Sequence, residues 1–163
     1  MATVFLGLGT NLGDRAANLR AALDALATVA EIDAASAIYE TAPLYVTDQP
    51  AFLNMAVRAT TRLPPMELLR ALKHMESELG RVASVRYGPR LIDLDILIYD
   101  DVVMDEPELI LPHPRLHERR FALVPLADVA ADLVHPTLGR SIGQLLAALP
   151  AEDDVVPSTV TLA

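Results

Sequence analysis

At 163 residues the chain fits one ordinary domain, and a net charge of −9 excludes broad nucleic-acid binding driven by overall electrostatics. With no cysteine, neither a disulfide framework nor a thiolate metal site is open to it, which is compatible with a reducing cytoplasm, the location expected here. A hydrophobic fraction of 52% is ample for a packed core, yet no stretch approaches the roughly 20 apolar residues that span a bilayer, so no membrane partner is expected.

The opening residues, Met1 to Gly7, lack a basic region and a long apolar core, and read as a first strand rather than a signal peptide. Strand character runs over 3–8, and Gly7, Gly9 and Gly13 punctuate the turn that follows. Gly7-Leu8-Gly9 is a poor dinucleotide fingerprint, because the third glycine is misplaced. A helix starts near Asp14, which can cap it, with Leu19, Ala22, Leu23, Leu26 and Val29 at spacings of three and four. Residues 31–40 read as a second strand, 41–50 as a loop with two prolines, and 51–61 as a third strand. Pro64 and Pro65 open a second helix whose apolar face is Leu68, Leu69, Leu72, Met75 and Leu79, and Gly80 ends it.

Residues 81–90 are polar and basic, and a further strand runs to about Tyr99. Val102 to Met104 can add a short strand, 107–118 is expected to be irregular, and helices fall near 119–130 and 141–149. From Glu152 no periodicity is visible, which suggests a single domain over 1–150 followed by a loose tail over 151–163. The order strand, helix, two strands, helix, strand is the split pattern of an α+β fold. It points to a ferredoxin-like βαββαβ sandwich with an antiparallel sheet and extra C-terminal helices.

Chemistry concentrates in Arg86-Tyr87-Gly88-Pro89-Arg90-Leu91-Ile92-Asp93-Leu94-Asp95-Ile96-Leu97-Ile98-Tyr99. In a strand, Asp93 and Asp95 share one face while Leu94 and Ile96 take the other. Two like charges on one face repel, and hard carboxylate oxygens suit Mg²⁺; a merely solvated polar face is the bland alternative. Twelve of the 13 basic residues are arginine, and six of them fall between 81 and 120: Arg81, Arg86, Arg90, Arg115, Arg119 and Arg120. Arginine grips phosphate oxygens with two parallel hydrogen bonds, so this cluster in an acidic chain suggests a small polyanionic ligand, against the plain alternative of surface ion pairs.

Four segments combine with this run: Gly9-Thr10-Asn11-Leu12-Gly13, Tyr39-Glu40-Thr41-Ala42-Pro43-Leu44, Asp48-Gln49-Pro50-Ala51-Phe52-Leu53-Asn54, and Leu111-Pro112-His113-Pro114-Arg115 through Arg119-Arg120-Phe121 to Leu126. Together they closely resemble the 6-hydroxymethyl-7,8-dihydropterin pyrophosphokinase family, over about residues 3–149. The Gly-Pro-Arg-x-x-Asp-x-Asp core is the most specific part.

The resemblance implies an ATP-dependent diphosphotransferase of folate biosynthesis, which moves diphosphate from ATP to the pterin hydroxymethyl group and releases AMP. It implies a ferredoxin-like fold, ATP as co-substrate and Mg²⁺, with two ions expected at Asp93 and Asp95. Arg81, Arg90, Asp93 and Asp95 match the catalytic positions. Arg81, Tyr87, Arg90, His113 and Arg119 match nucleotide-contacting ones, although Arg81 could instead be a charge offsetting the helix dipole. Phe52 and Phe121 match the aromatic pair that sandwiches the pterin, Asn54 offers a donor and an acceptor to its edge, and Thr41, Pro43 and Leu44 line the rim. Glu76 matches a family acid, as ligand contact or as supporting salt bridge. Ala83 and Ser84 replace basic residues of some members. His117 and His135 have no motif support and read as structural or exposed. No general base is assigned. A monomer is expected. The alternative is a non-catalytic metal-nucleotide-binding module of the same fold.

Overall fold

The computed structural model describes residues 1–41, 51–80, 91–150 and 154–162. The first strand, β1 (Ala2–Thr10), is longer than its alternation alone predicts and lies inside the sheet, paired on both sides. Gly13, at φ +68°, makes the turn that a residue with a Cβ resists. Asp14 then caps α1 (Arg15–Leu26), its carboxylate accepting from the Ala17 N–H at 3.1 Å. Then come β2 (Ala30–Ala35), β3 (Tyr39–Thr41), β4 (Phe52–Thr61) and α2 (Pro65–Leu79), which closes on Gly80 as its glycine predicts. β5 (Asp93–Tyr99) carries the aspartates. β6 (Met104–Asp105) and β7 (Ile110–Leu111) form a small hairpin, and α3 (Arg120–Ala130), α4 (Ile142–Ala147) and β8 (Val155–Pro157) complete the order.

Among the described residues, the main sheet runs β5-β1-β4-β3-β8, with β2 also on β4. The pairs β1·β4, β1·β5, β2·β4 and β3·β4 are all antiparallel. That order is the ferredoxin-like arrangement expected from the sequence. One face of the sheet presents Val4, Leu6, Leu8, Leu53, Met55, Leu94 and Ile96 to Leu19, Leu26, Leu68 and Leu72 of the two early helices. The other face packs Phe5, Ala56 and Leu97 on Leu123, Leu126, Ile142 and Leu145 of α3 and α4. Each buried leucine contributes about 2 kcal/mol of apolar transfer. Tyr39, its hydroxyl pKa pushed up to about 12 by burial and by Asp128, stays protonated and donates to that carboxylate at 2.7 Å, tying α3 to β3.

Three expectations change. The stretch 31–40 is two strands, with residues 36–38 unpaired as ladder between them. The stretch 107–118, read as irregular, contains β7 and a short 3-10 turn at Leu116–Glu118, and the short strand near 102–104 sits at Met104–Asp105. The end of the chain is not loose: β8 pairs antiparallel with β3, Ser158 N–H donates to the Ile38 carbonyl at 2.8 Å, and Val160 and Leu162 pack against the core. A three-residue strand has no period to read, and its partner decides it.

Candidate active site

Above the half of the sheet that α3 and α4 leave uncovered lies a cleft of about 880 Å³. Its floor follows from register. Gly9 of β1 stands opposite Asn54 of β4 on one side and Asp93 of β5 on the other, and Gly7 stands opposite Ala56 and Asp95. Residues two apart in a strand share a face, so Gly7 and Gly9 together leave a bare trough between Asn54 and the two aspartates. These glycines were poor as a nucleotide fingerprint and carry another job: removing side chains from the middle of the floor. Glycine pairs at i and i+2 inside an otherwise strong strand are the signal that finds them.

Of the residues the motifs single out, Thr41, Phe52, Asn54, Asp93, Asp95, His113, Arg119 and Phe121 all line this one cleft. Pro43, Leu44, Arg81, Tyr87 and Arg90 lie outside the described residues, as do Ala83, Ser84 and Arg86. At one end, Asn54 is buried and its Nδ2 donates to the Thr41 hydroxyl at 2.7 Å. That bond orients the amide and sets its Oδ1 beside Gly9, 2.9 Å from where a Cβ would stand. Phe52 and Phe121 come from β4 and from the start of α3, so the aromatic pair spans from the sheet to the helix packed above it.

At the other end, Asp93 and Asp95 rise from β5 with Leu94 and Ile96 turned into the core, as the alternation requires. Glu76 Oε2 accepts the Leu94 N–H at 2.8 Å and its Oε1 lies 3.6 Å from Lys73, so this acid braces the strand between the two aspartates. His113 is held by its backbone, whose N–H donates to the Leu97 carbonyl at 2.9 Å. Burial pushes the His113 pKa down, with Arg119 and Arg115 adding to the shift and Asp95 opposing it. Its Nδ1 accepts from the Arg115 N–H at 3.3 Å, so the neutral ring carries its proton on Nε2 as a donor. Arg119 rests over the Phe121 ring at 5.5 Å. The remaining arginines of this segment are paired, Arg115 with Glu118 at 3.2 Å and Arg120 with Asp154 at 3.0 Å. His135 is buried, and its Nδ1 accepts backbone N–H groups of Thr137 and Leu138, which is the structural one of the two readings the sequence left open.

One end of the cleft thus offers flat aromatic walls and an amide edge, the other offers paired carboxylates and a histidine donor, and Arg119 lies over the Phe121 wall. Residues 5–131 match the family described as 7,8-dihydro-6-hydroxymethylpterin-pyrophosphokinase (HPPK). The chain belongs to this family. It is 44% identical over 151 residues to the 2-amino-4-hydroxy-6-hydroxymethyldihydropteridine pyrophosphokinase of Pseudomonas aeruginosa, covering 91% of this chain and 93% of that one. It is 41% identical over 150 residues to the folic acid synthesis protein fol1 of Schizosaccharomyces pombe, and 50% identical over 127 residues to the mitochondrial folate synthesis bifunctional protein of Pisum sativum. The chain spans only 20% and 25% of the length of those two relatives. A crystal structure of Plasmodium falciparum HPPK-DHPS superposes with a TM-score of 0.76 at 18% identity, over 90% of this chain and 45% of that one, which shows the shared ferredoxin-like fold.

Leu149, Pro150 and Asp154 also line the cleft, and sequence reading assigned none of them a place there; Arg120, one of the six clustered arginines, lines it as well. Among the described residues no group of three or more histidines and carboxylates could hold a metal ion, and no helix is long and apolar enough to cross a membrane.

Proposed function

We propose that this chain transfers diphosphate from ATP to the hydroxymethyl group of 6-hydroxymethyl-7,8-dihydropterin, releasing AMP, as a step of folate biosynthesis. The observation that carries the reading is the row Asn54, Gly9, Asp93 across three adjacent strands. It puts a heterocycle-binding edge and a pair of carboxylates on one face, separated by an empty strand.

In the reaction the pterin hydroxyl oxygen forms a bond to the β-phosphorus, while the bond from that phosphorus to the oxygen bridging to the α-phosphate breaks. AMP leaves with that oxygen, and the hydroxyl proton is released to solvent. Little covalent chemistry is asked of the protein, so positioning and charge carry the rate. Phe52 and Phe121 stack on the flat ring, and Asn54, oriented by Thr41, meets the donor and acceptor pattern of its edge. His113 Nε2 and Arg119 contribute donors to the nucleotide. Arg81, Tyr87 and Arg90, with Pro43 and Leu44 at the pterin rim, are assigned by the motif alone.

Asp93 and Asp95 fit Mg²⁺: both are hard oxygen donors, two residues apart on one strand face and open to the cleft. With only two protein carboxylates, phosphate oxygens and water are left to complete the shell, the usual arrangement for this cation. Bound there, Mg²⁺ supplies charge neutralisation and alignment of the phosphates. Two ions per site, a monomeric working unit and a cytoplasmic setting are parts of the same proposal.

The test is AMP formation from ATP in Mg²⁺ buffer, with and without the hydroxymethyl dihydropterin. AMP that appears only when the pterin is present, in step with pterin diphosphate, is the expected result. ATP binding without pterin-dependent AMP would instead favour the non-catalytic module.

A further inference from the structure

Phe121 sits in a helix turn that its own helix holds poorly. The cap residue Arg119 makes no side-chain capping bond, and no acidic residue occupies the first turn of α3. Pro125 lies inside the helix and has no N–H to give the Phe121 carbonyl four residues earlier. The Ala122 and Leu123 N–H groups still bond the Arg119 carbonyl, at 3.1 and 2.9 Å, and one contact from outside the helix adds to these. Arg120 Nε donates to Asp154 Oδ1 at 3.0 Å, with the two side chains 20% and 39% exposed. Asp154 directly precedes β8, and the first residue of that strand, Val155, stands opposite Thr41 in the ladder. Thr41 in turn accepts the bond that orients Asn54. The ion pair therefore joins the two sides of the aromatic end of the cleft: the β3–β8 edge with Thr41, and the α3 turn with Phe121. Asp154 also brings negative charge to the positive end of α3.

We propose that Asp154 is a positioning residue for acceptor binding, acting through Arg120 to hold Phe121 at its working distance from the sheet. The segment involved lies beyond residues 5–131, the stretch matched to the family. The inference rests on the functional reading above, because it takes Phe121 as a wall of the pterin pocket.

Asp154→Asn is measured beside Asp154→Glu and the charge exchange Arg120→Asp with Asp154→Arg. Steady-state kinetics for both substrates, thermal midpoints and NMR of the Phe121 ring are recorded on each. In Asp154→Asn the KM for pterin rises about fivefold, the size expected for losing one partly exposed charge-assisted bond. The KM for ATP and kcat stay within about twofold. Asp154→Glu and the charge exchange recover at least half of the loss, whereas a merely structural role would move both KM values together with the thermal midpoint. An unchanged pterin KM, or equal rises for both substrates, overturns the proposal. If the wild-type chain transfers nothing to the pterin, the functional reading fails by itself. The tether is then judged by the Phe121 ring signals, which must shift in Asp154→Asn and return in the charge exchange; signals that stay put overturn it.

Discussion

Gly9 and Gly7 occupy the same face of one strand, yet the structure asks different things of them. A Cβ on Gly9 would stand 2.9 Å from Asn54 Oδ1, too close for two unbonded heavy atoms, whereas the nearest atoms to a Cβ on Gly7 are Leu97 side-chain carbons at an ordinary 3.5 Å. Asn54 cannot easily retreat, because its Nδ2 is bonded to Thr41. Overpacking of this kind costs about 1–3 kcal/mol. Gly9→Ala is therefore expected to raise the pterin KM about tenfold or more, with a much smaller change in the ATP KM, while Gly7→Ala changes the thermal midpoint little. Equal kinetics for Gly9→Ala and wild type would show that the amide orientation does not matter. Asp95→Asn keeps the shape of a strand residue and removes the hard anionic oxygen proposed to hold Mg²⁺. Turnover in Mg²⁺ should fall by about a hundredfold or more, with an unaltered circular dichroism spectrum; retained turnover would remove Asp95 from metal binding.

The long elements were legible because each carries its own period. The early helices show apolar residues three and four apart, Asp14 and Gly80 mark ends, and the aspartate strand alternates against Leu94 and Ile96. β3, β6, β7 and β8 are two or three residues long, and nothing within them distinguishes strand from loop. Their state is set by a partner distant in sequence, as Val155 opposite Thr41 illustrates. The same limit hid the C-terminal wall of the cleft, whereas Asp93, Asp95, Asn54 and Phe121 were visible through motif spacing. α4 anchors that wall and is only six residues long, so its cap matters. Ser141 accepts from the Gln144 N–H at 3.1 Å, and the Gln144 side chain accepts from the Ser141 N–H at 2.9 Å. Ser141→Ala should cost about 1 kcal/mol in urea unfolding, while leaving the ATP KM unchanged.

For the molecule as a whole, two histidines among the described residues contribute to its acid stability. Burial lowers the pKa of both His113 and His135 from the ordinary 6.5. The unfolded chain therefore takes up protons before the folded one does. Well above 6.5 both forms are neutral and these residues contribute no pH dependence. As pH falls below that value, stability declines until the depressed folded pKa values are passed. His135 adds a geometric reason, since its Nδ1 already accepts N–H groups and a proton there would face donors. Thermal midpoints should drop between about pH 7 and pH 5, and His135→Asn should flatten that drop; an identical slope in the variant would clear His135 of the effect. The placement of Asn54 and Asp93 across Gly9 has a last consequence. Neighbouring strands are about 4.8 Å apart, so the backbones of Asn54 and Asp93 stand two strand widths apart, about 10 Å. Hydrogen-bonded ladders do not stretch, and this span behaves as a fixed gauge. Under the proposed function, an acceptor whose hydroxyl is carried on a longer arm is expected to overshoot the mark.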